Sequence, residues 1–384
     1  MIIEPPPLSL YLHLPWCVRK CPYCDFNSHT LRDASVQDRY VDALLRDIET
    51  EAQRAEQRPL FSIFMGGGTP SLFSASQVQR ILDGVRANFE LQTDIEITME
   101  ANPGTVECDA PAGYRDAGVN RISVGAQSFS DASLQVLGRI HSAADIERAV
   151  NDIRDAGFDD FNIDLMYALP GQDVDAALQD IESAAALGPS HISWYQLTLE
   201  PNTVFHARPP AGIPGEDAVW EIQEQGQARL ADLGFEQYEV SAYARDGRQC
   251  RHNLNYWSFG DYLAAGAGAH GKISDGTDIF RYTKPANPLM YMQCIEQDTG
   301  AGALQPIAGA DRVFEYMLNV LRLSDGFTET DFAKRTGMSA EVLQTTLSSL
   351  AARELLTEPK KGHWRPTMLG KRFLNDLQAS FLED

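Results

Sequence analysis

Fourteen residues near the start of the chain, 11–24, read YLHLPWCVRKCPYC. They place Cys17, Cys21 and Cys24 in a C-x-x-x-C-x-x-C spacing, whereas the other three cysteines are scattered along the chain. Three thiols cannot all pair with one another, so a disulfide framework explains them poorly. Thiolates this close together are soft ligands that suit zinc or an iron–sulfur cluster. The three cysteines therefore predict a metal centre.

Two kinds of metal centre fit the cysteines. Structural zinc takes four ligands, and closed sites usually use two C-x-x-C pairs. The chain has no second pair, although His13 or His29 could supply the fourth ligand of a zinc-stabilised binding module. Three thiolates on a four-iron cluster instead leave one iron open for a substrate. From the residues alone both alternatives stay open, and so does a coincidental group of structural cysteines.

The cysteines follow a predicted strand. Leucines at every second position from 8 to 14 give the period of two that is typical of a β-strand, with Tyr11 and His13 on one face. Strand-like and helix-like segments then alternate six times up to Gly234. Repeated β-then-α units predict parallel strands with right-handed crossovers. We expect an α/β fold with a partial (β/α)6 barrel, and a doubly wound open sheet is the competing architecture.

Polar or glycine-rich motifs come directly after five of the predicted strands. They are the cysteine loop, Gly66–Thr69, Glu100, Gln127 and Asp164. Taken singly, each has an ordinary explanation, such as a tight turn for the glycines or a strand-end cap for the polar residues. Because the carboxyl ends of parallel strands meet at one edge, where such folds build their sites, we expect the five motifs to converge.

The remainder of the chain predicts two further units after a barrel that spans residues 1–235. Residues 236–308 read as short strands and turns, which predicts a small α+β segment. Residues 309–384 read as helices followed by a hairpin near 360–366, which predicts a winged-helix-like C-terminal domain.

The charge of the chain limits its partners. The formal net charge is −22, and residues 311–384 carry only −1 of it. An acidic surface repels phosphate backbones, so a nucleic-acid partner or an RNA substrate is disfavoured. Five basic residues concentrate near the predicted wing, where a protein or membrane surface could dock: Lys360, Lys361, Arg365, Lys371 and Arg372. No apolar run reaches the roughly 18 residues of a membrane span, and the first residues lack a secretory signal, so we expect a cytoplasmic protein.

Read in order, these motifs resemble the radical S-adenosylmethionine (SAM) superfamily. The resemblance starts at Tyr11-x-His13 and the cysteines, with Tyr23 before the last of them. It continues through Gly66–Pro70, Glu100-x-Asn-Pro, Ser123–Phe129 and Asn162–Gly171. The ordered set is similar to the family that contains oxygen-independent coproporphyrinogen III oxidases and heme chaperones, and it covers most of residues 8–384.

The resemblance implies two cofactors. A [4Fe–4S] cluster would be held by the three cysteines, and its open iron would bind SAM. The SAM pocket that the resemblance implies is lined by Tyr11, Tyr23, Gly67, Gly68, Thr69, Glu100, Gln127, Arg139 and Asp164. Acids can accept hydrogen bonds from ribose hydroxyls or an ammonium group, and an arginine can pair with a carboxylate.

Within the family, the sequence departs from the oxidase pattern. Phe26 stands where that pattern has a fourth cysteine, and only ten residues precede Tyr11. Residues 252–257 read HNLNYW, which is similar to the HNxxYW signature of the heme-chaperone branch. This resemblance implies heme binding, delivery to recipient hemoproteins and an electron donor. A peripheral membrane contact through the basic residues near the wing would fit a recipient that lies at a membrane. Oxidase activity is the alternative, and whether SAM is cleaved stays open.

The HNLNYW motif supplies the candidate heme ligand. The imidazole of His252 could ligate iron, with Tyr256 and Trp257 stacking on the porphyrin. Cys250 is a weaker second candidate, and His270 lies in a glycine-rich stretch that could approach the barrel mouth. The ordinary interpretation is a structural turn in which His252 is hydrogen-bonded, and the sequence leaves both interpretations open.

Overall fold

The cysteine loop is anchored at its base by a small pairing of strands. A computed structural model describes residues 2–104, 109–299 and 302–382 of the protein, so Cys108 lies outside the described residues. Strand β1 (Leu8–Leu14) leads into the loop, where β2 (Trp16–Cys17) pairs in parallel with β3 (His29–Thr30). The loop is therefore closed between Cys17 and His29.

Five further strands complete the predicted barrel. After β1 they are β4 (Leu60–Gly67), β5 (Leu91–Ala101), β6 (Arg121–Gln127), β7 (Phe161–Tyr167) and β8 (His191–Gln196). Each pairs in parallel with the next, so the spatial order follows the chain order. A doubly wound sheet instead reverses direction at a middle strand. The predicted partial (β/α)6 barrel is confirmed, and the open-sheet alternative is wrong.

Helices join these strands. They are α1 (Val36–Arg54), α2 (Ala75–Asn88), α3 (Pro111–Ala117), α4 (Asp131–Val136), α5 (Ala143–Asp155), α6 (Val174–Ala186), α7 (Val204–Ala207) and α8 (Glu216–Asp232). Their apolar stripes, such as Tyr40, Leu44 and Ile48 of α1, pack against the leucines of β1 in one hydrophobic core. This core fixes the strands whose ends carry the predicted motifs.

Strand β1 is buried on both faces, although its alternation is also the pattern of a half-exposed strand. Its leucines face the helices, whereas Tyr11 and His13 line a cavity on the other side. Ser9, on that same polar face, hydrogen-bonds to Ser62 across the strand pair at 2.7 Å. The period of two therefore separates the helix layer from the barrel interior, not the core from solvent.

The sheet continues past the barrel at both edges. At one edge, β9 (Glu236–Glu239) and β10 (Ala242–Ala244) run antiparallel after β8. At the other, β11 (Asp261–Ala265) lies parallel to β1, and β12 (His270–Ser274), β13 (Ile279–Thr283) and β14 (Gln305–Pro306) follow antiparallel. All of these strands belong to one twelve-stranded sheet. The segment after residue 235 thus extends the barrel's own sheet, and the domain boundaries stay predictions.

Two helices accompany this extension. Helix α9 (Arg251–Trp257) contains the HNLNYW motif, and α10 (Pro288–Glu296) packs on α1. The sequence predicted a small α+β segment here, but the pattern of short strands and turns located neither helix. Helix α9 begins where the carboxylate of Glu96 on β5 accepts the backbone N–H groups of Arg251 and His252, at 2.8 and 3.1 Å.

The C-terminal residues form a helical unit with a small antiparallel sheet. Its elements are α11 (Gly309–Val320), β15 (Phe327–Thr328), α12 (Glu329–Thr336), a 3-10 turn at Ala340–Leu343, α13 (Gln344–Ala352), β16 (Leu356–Lys360), β17 (His363–Pro366), α14 (Met368–Arg372) and α15 (Leu374–Ala379). The predicted hairpin gains a third strand, β15, beside β17. The two short helices after the hairpin, α14 and α15, are separated at Phe373, whose backbone leaves the helical conformation.

Two of the basic residues near the wing pack against the barrel. Lys371 donates to the side-chain oxygen of Gln237 at 3.1 Å, and the Arg372 guanidinium lies 3.9 Å from the ring centroid of Trp220. These two cations therefore hold the C-terminal unit in place. Within the described residues, no helix is both long and apolar enough to cross a membrane.

Candidate functional site

The motifs that the sequence placed after the barrel strands converge toward the carboxyl ends of those strands, although Glu100, Gln127 and Asp164 are themselves strand residues. They line a pocket of about 310 Å³, which we call the rim pocket. Its walls include Cys17, Cys21, Tyr23, Cys24, Gly67, Gly68, Thr69, Glu100, Gln127, Arg139 and Asp164. Among the residues that the resemblance assigns to SAM, only Tyr11 lies outside this pocket, in an adjoining cavity.

Each thiol of the cysteine loop has a polar neighbour. The Thr69 hydroxyl donates to the Cys17 sulfur at 3.5 Å, and an Arg139 N–H donates to the Cys21 sulfur at 3.7 Å. The Cys24 sulfur lies 3.7 Å from the Ser28 hydroxyl. Burial raises the pKa of the Cys17 and Cys24 thiols. Hydrogen-bond donors that face sulfur atoms suit thiolates bound to a metal.

A fourth protein ligand for zinc is not at hand. His13 binds the Tyr11 hydroxyl through Nδ1 at 3.0 Å and the Asn27 carbonyl through Nε2 at 2.8 Å. His29 uses Nε2 for the Asn27 side chain at 3.2 Å. In the part of the chain that the structure describes, no group of three or more His, Cys, Asp or Glu is preassembled around a metal position. Three thiols on one open pocket suit a cluster with an open iron better than four-coordinate zinc.

Two glycines let the end of β4 approach the cysteine loop. A Cβ on Gly68 would lie 2.6 Å from the Trp16 carbonyl oxygen, and one on Gly67 would lie 2.3 Å from the His13 ring. Gly67 also has a φ of +111°, which L side chains rarely adopt. A backbone hydrogen bond then joins the end of β4 to the cysteine loop, since the N–H of Thr69 donates to the Trp16 carbonyl at 2.7 Å. In this structure the glycines serve close packing on the loop.

Two partly buried carboxyl groups face the rim pocket. Glu100 accepts the Gly67 N–H at 3.2 Å, and Asp164 accepts from Ser123 and Asn162 at 3.1 and 2.8 Å. Burial and the nearby Asp164 raise the pKa of Glu100 to about 8. Burial also raises the pKa of Asp164. Glu100 is therefore largely protonated at neutral pH, and an arriving cation would favour its ionised form.

Arg139 and Gln127 are held by partners that the sequence did not indicate. The Arg139 guanidinium donates to the Gly125 carbonyl at 2.6 Å and also contacts the Asn102 side chain. Gln127 has a left-handed backbone with a φ of +74°, and its side-chain oxygen accepts from the Tyr195 hydroxyl at 2.8 Å. Tyr195 lines the pocket near the end of β8, so strand alternation along β8 was the signal that could have found it.

A second cavity of about 770 Å³ adjoins the rim pocket. We call it the aromatic cavity, because Tyr11, Phe64, Tyr256, Trp257 and Tyr262 line it. It shares Gly67, Glu100, Asp164 and Tyr195 with the rim pocket. Both His252 and the exposed His270 line it, and Phe26 stands at the junction of the two spaces with 60% of its surface exposed.

His252 is held as a neutral imidazole in the wall of the aromatic cavity. Its Nδ1 lies 3.2 Å from the Ser62 hydroxyl, and its ring centroid lies 5.1 Å from that of Phe64. Burial lowers the pKa of His252 to about 3. Among the described residues, no group hydrogen-bonds to its Nε2. Of the two interpretations of His252, the hydrogen-bonded one therefore holds for Nδ1, whereas Nε2 is available to a ligand.

Cys250 lies apart from the aromatic cavity. It is buried, and its thiol donates to the Glu96 carboxylate at 3.5 Å. Burial raises the pKa of this thiol to about 12, so thiolate ligation is disfavoured.

Comparisons with known proteins decide the family. The Radical SAM superfamily pattern matches residues 11–184. The heme chaperone HemW of Escherichia coli (strain K12) is 48% identical over 100% of both chains. This chain belongs to the HemW family. The heme chaperone HemW of Haemophilus influenzae is 46% identical over 99% of both chains, so the HemW likeness includes all three predicted segments.

The HemW fold also resembles a solved structure. Coproporphyrinogen III oxidase (HemN) from Escherichia coli, described as a radical SAM enzyme, matches with a TM-score of 0.83. The match covers 98% of this chain and 90% of that one. The sequence identity is 23%, so this likeness concerns the fold alone.

Proposed function

We propose that this HemW-family chain is a heme chaperone that carries heme in the aromatic cavity and passes it to recipient hemoproteins. The observation that carries the proposal is the neutral His252, whose Nε2 is available in the wall of a cavity of about 770 Å³. A neutral imidazole is a common ligand of heme iron. Both curated relatives described above are named heme chaperones, which supports the same conclusion.

The rim pocket is proposed to hold the two cofactors. Cys17, Cys21 and Cys24 would bind a [4Fe–4S] cluster, and the pocket residues described above would bind SAM, with Tyr11 in the adjoining aromatic cavity. When bound, the cluster and SAM supply one-electron reductive chemistry at the SAM sulfonium. Glu100 would give up its proton as it pairs with an ammonium group or accepts from a hydroxyl.

Three features of the heme site come from this chain's own residues. Ser62 fixes the orientation of the His252 ring through Nδ1, which leaves Nε2 for iron. Tyr256 and Trp257 supply an aromatic wall for the macrocycle. Phe26 covers the boundary with the rim pocket, where a fourth cysteine is found in the oxidase pattern.

The partners of the proposed chaperone are heme, a recipient hemoprotein and an electron donor for the cluster. A peripheral membrane contact would use the exposed apolar residues Met368, Leu369 and Phe373 on the C-terminal unit. The net charge of −22 disfavours nucleic acid as a partner. A cytoplasmic location fits these partners.

An anaerobic heme titration of the cluster-reconstituted protein tests the proposal. The visible absorption of the wild type should show saturable binding of one heme, and His252→Ala should lose or change the iron-ligand spectrum. His270→Ala is the matched control, because His270 lines the same cavity from an exposed position. Absence of binding at micromolar heme would remove the chaperone proposal. Turnover of coproporphyrinogen III with SAM and a reductant would favour the oxidase alternative.

A further inference from the structure

A third cavity lies toward the amino-terminal ends of the barrel strands. It has a volume of about 200 Å³, and we call it the floor cavity. It is lined by Phe64, Glu100, Arg121, Ser123, Asn162, Asp164, His191, Ser193, Cys250 and Asn253. No part of the proposed cluster or SAM chemistry uses its one cation, Arg121.

Arg121 is a buried cation with unused hydrogen-bonding capacity. The residue begins β6 and is 2% exposed. Its buried Nε and Nη2 atoms have no hydrogen-bond partner. The Asp160 carboxylate lies 3.5 Å from Nε, but it already accepts from the Ser190 hydroxyl at 2.7 Å. Buried donors are normally paired, so two guanidinium nitrogens without hydrogen bonds beside a cavity indicate a missing acceptor.

The neighbouring polar side chains are already paired with one another. The Asn162 oxygen binds His191 Nδ1 at 2.6 Å and accepts from Ser193 at 3.1 Å. The other ring nitrogen of His191 lies 2.8 Å from the Tyr238 hydroxyl. Arg121 is therefore the lining residue with donors to spare. A guanidinium fork matches the two oxygens of a carboxylate, with which it can form two parallel hydrogen bonds.

The floor cavity adjoins the space proposed for heme. Five residues line both it and the aromatic cavity, and two of them carry carboxyl groups: Phe64, Ser193, Asn253, Glu100 and Asp164. The Phe64 ring also packs on His252, the proposed iron ligand. A ligand in the aromatic cavity could thus extend a short acidic arm toward Arg121.

Although burial lowers the pKa of the Arg121 guanidinium, acidic groups already lie close enough to raise it, namely Cys250, Glu96 and Asp160. The Glu96 carboxylate accepts from the start of α9, and Asp164 accepts from Ser123 and Asn162. Each of these carboxyl groups thus has donors of its own. None of these groups hydrogen-bonds to Nε or Nη2 of Arg121, so these two donors are still without an acceptor among the residues that the structure describes.

We propose that the floor cavity binds a carboxylate of the tetrapyrrole, a propionate arm, through Arg121. This proposal rests on the proposed heme-chaperone function. Arg121 would then fix the orientation of the macrocycle while His252 holds the iron. The proposed site would favour porphyrins that carry free carboxylates over those that lack them.

Competition between heme and its dimethyl ester tests the proposal on the wild-type protein. The ester keeps the iron and the ring but has no free carboxylate. The loss of a charge-assisted hydrogen bond is expected to weaken ester binding by about 10- to 100-fold. In Arg121→Gln, heme should weaken by a similar factor and the discrimination against the ester should disappear. Arg121→Lys, which keeps the charge and loses the fork, should discriminate to an intermediate degree.

Arg281→Gln is the matched control. Arg281 also lines the aromatic cavity, but its guanidinium already pairs with Tyr262 and Glu315 at 2.7 Å each, so this variant should discriminate as the wild type does. Circular dichroism and cluster iron content establish that each variant is folded. If Arg121→Gln does not fold, the wild-type ester comparison and Arg121→Lys still decide.

The outcomes separate the two proposals. Equal affinity of the wild type for heme and ester would overturn the carboxylate site and leave heme binding intact. If a folded Arg121→Gln protein still preferred heme over the ester as strongly as the wild type does, the carboxylate site would also be overturned, because another group would then bind the carboxylate. Absence of heme binding would overturn this proposal together with the proposed function.

Discussion

The rim pocket and the aromatic cavity share a wall, yet they are built from different kinds of sequence. The rim pocket gathers residues at or near the carboxyl ends of successive barrel strands, between Cys17 and Glu200. The aromatic cavity joins β1 and β4 to residues 252–281, which are far away in the chain. Because the β-then-α unit repeats, the rim pocket can be predicted from the sequence. The aromatic cavity depends on tertiary contacts, which the sequence pattern does not show. Each of the following predictions changes one of the two spaces.

Cys21→Ala should have the largest effect, and the effect should be confined to the rim pocket. Removal of one of three thiolates is expected to abolish the cluster, because only two thiolates would then remain on the rim pocket to hold it. Iron and sulfide analysis should show near-complete loss, with an unchanged circular dichroism spectrum and persistent His252-dependent heme absorption. Cys294→Ala, remote from the pocket, is the control. Full iron retention in Cys21→Ala would refute the ligand assignment.

Gly68→Ala should destabilise the protein where β4 packs against the cysteine loop. The new Cβ would meet the Trp16 backbone at 2.6 Å, and backbone cannot move aside as a flexible side chain can. We expect destabilisation of about 1–3 kcal/mol, which is typical of an overpacked site. Urea unfolding measures this value. Gly309→Ala should change little, since nothing lies within 4 Å of its added Cβ. Equal stability of the two variants would contradict the packing argument.

Glu100→Gln should change how stability depends on pH. The pKa of Glu100 is raised from 4.5 to about 8, so the folded chain keeps a proton that the unfolded chain loses between these values. The stability from this group is fully present below the lower pKa and is lost as pH rises through the higher one. Between about pH 5 and 8, the cofactor-free wild type should lose about 1–3 kcal/mol relative to Glu100→Gln.

Urea unfolding at several pH values checks the Glu100 prediction. Glu147→Gln, which alters an exposed residue of α5, should follow the wild-type pH profile. Parallel profiles for Glu100→Gln and the wild type would show that Glu100 is not the group responsible.

Ser62→Ala should have the smallest effect, and it acts on the aromatic cavity. The variant removes the partner of His252 Nδ1, which lies at 3.2 Å. Heme affinity is expected to fall by about 2- to 10-fold, as for the loss of one neutral hydrogen bond. The ligand-field bands of the bound heme should shift as well, which a purely structural role would not cause. Ser241 lines the same cavity without touching His252, so Ser241→Ala should leave the heme affinity and the ligand-field bands unchanged.

The difference between the two spaces also explains what the sequence could predict. The spacing of Gly67, Glu100, Gln127 and Asp164 after successive strands predicted a common rim, because parallel strands present their carboxyl ends on one side. Tyr11 was grouped with them by motif order, yet it lies on the far side of Glu100 in the aromatic cavity. Its position depends on strand register, which the motif order does not contain.

The HNLNYW segment was harder to interpret. Its helix α9 is seven residues long and begins at the Glu96 carboxylate of a strand more than 150 residues earlier. Local periodicity cannot report such a cap, so the sequence favoured a turn. Arg121 was missed for a related reason. It lies at the start of a strand and belongs to no sequence motif. Only the cavity beside it, which the structure shows, indicates a binding role.

The pairing of β11 with β1 constrains the order in which the molecule can be assembled during synthesis. The first strand of the barrel lacks one neighbour until residues 261–265 have been made. The cysteine loop also depends on residues made later, since the Asn27 side chain donates to the carbonyls of Ala267 and Ala286, both at 2.9 Å. Such distant contacts form slowly and late. We therefore expect the cysteines to reach their final arrangement only after most of the chain has left the ribosome, so the cluster is received by a nearly complete protein.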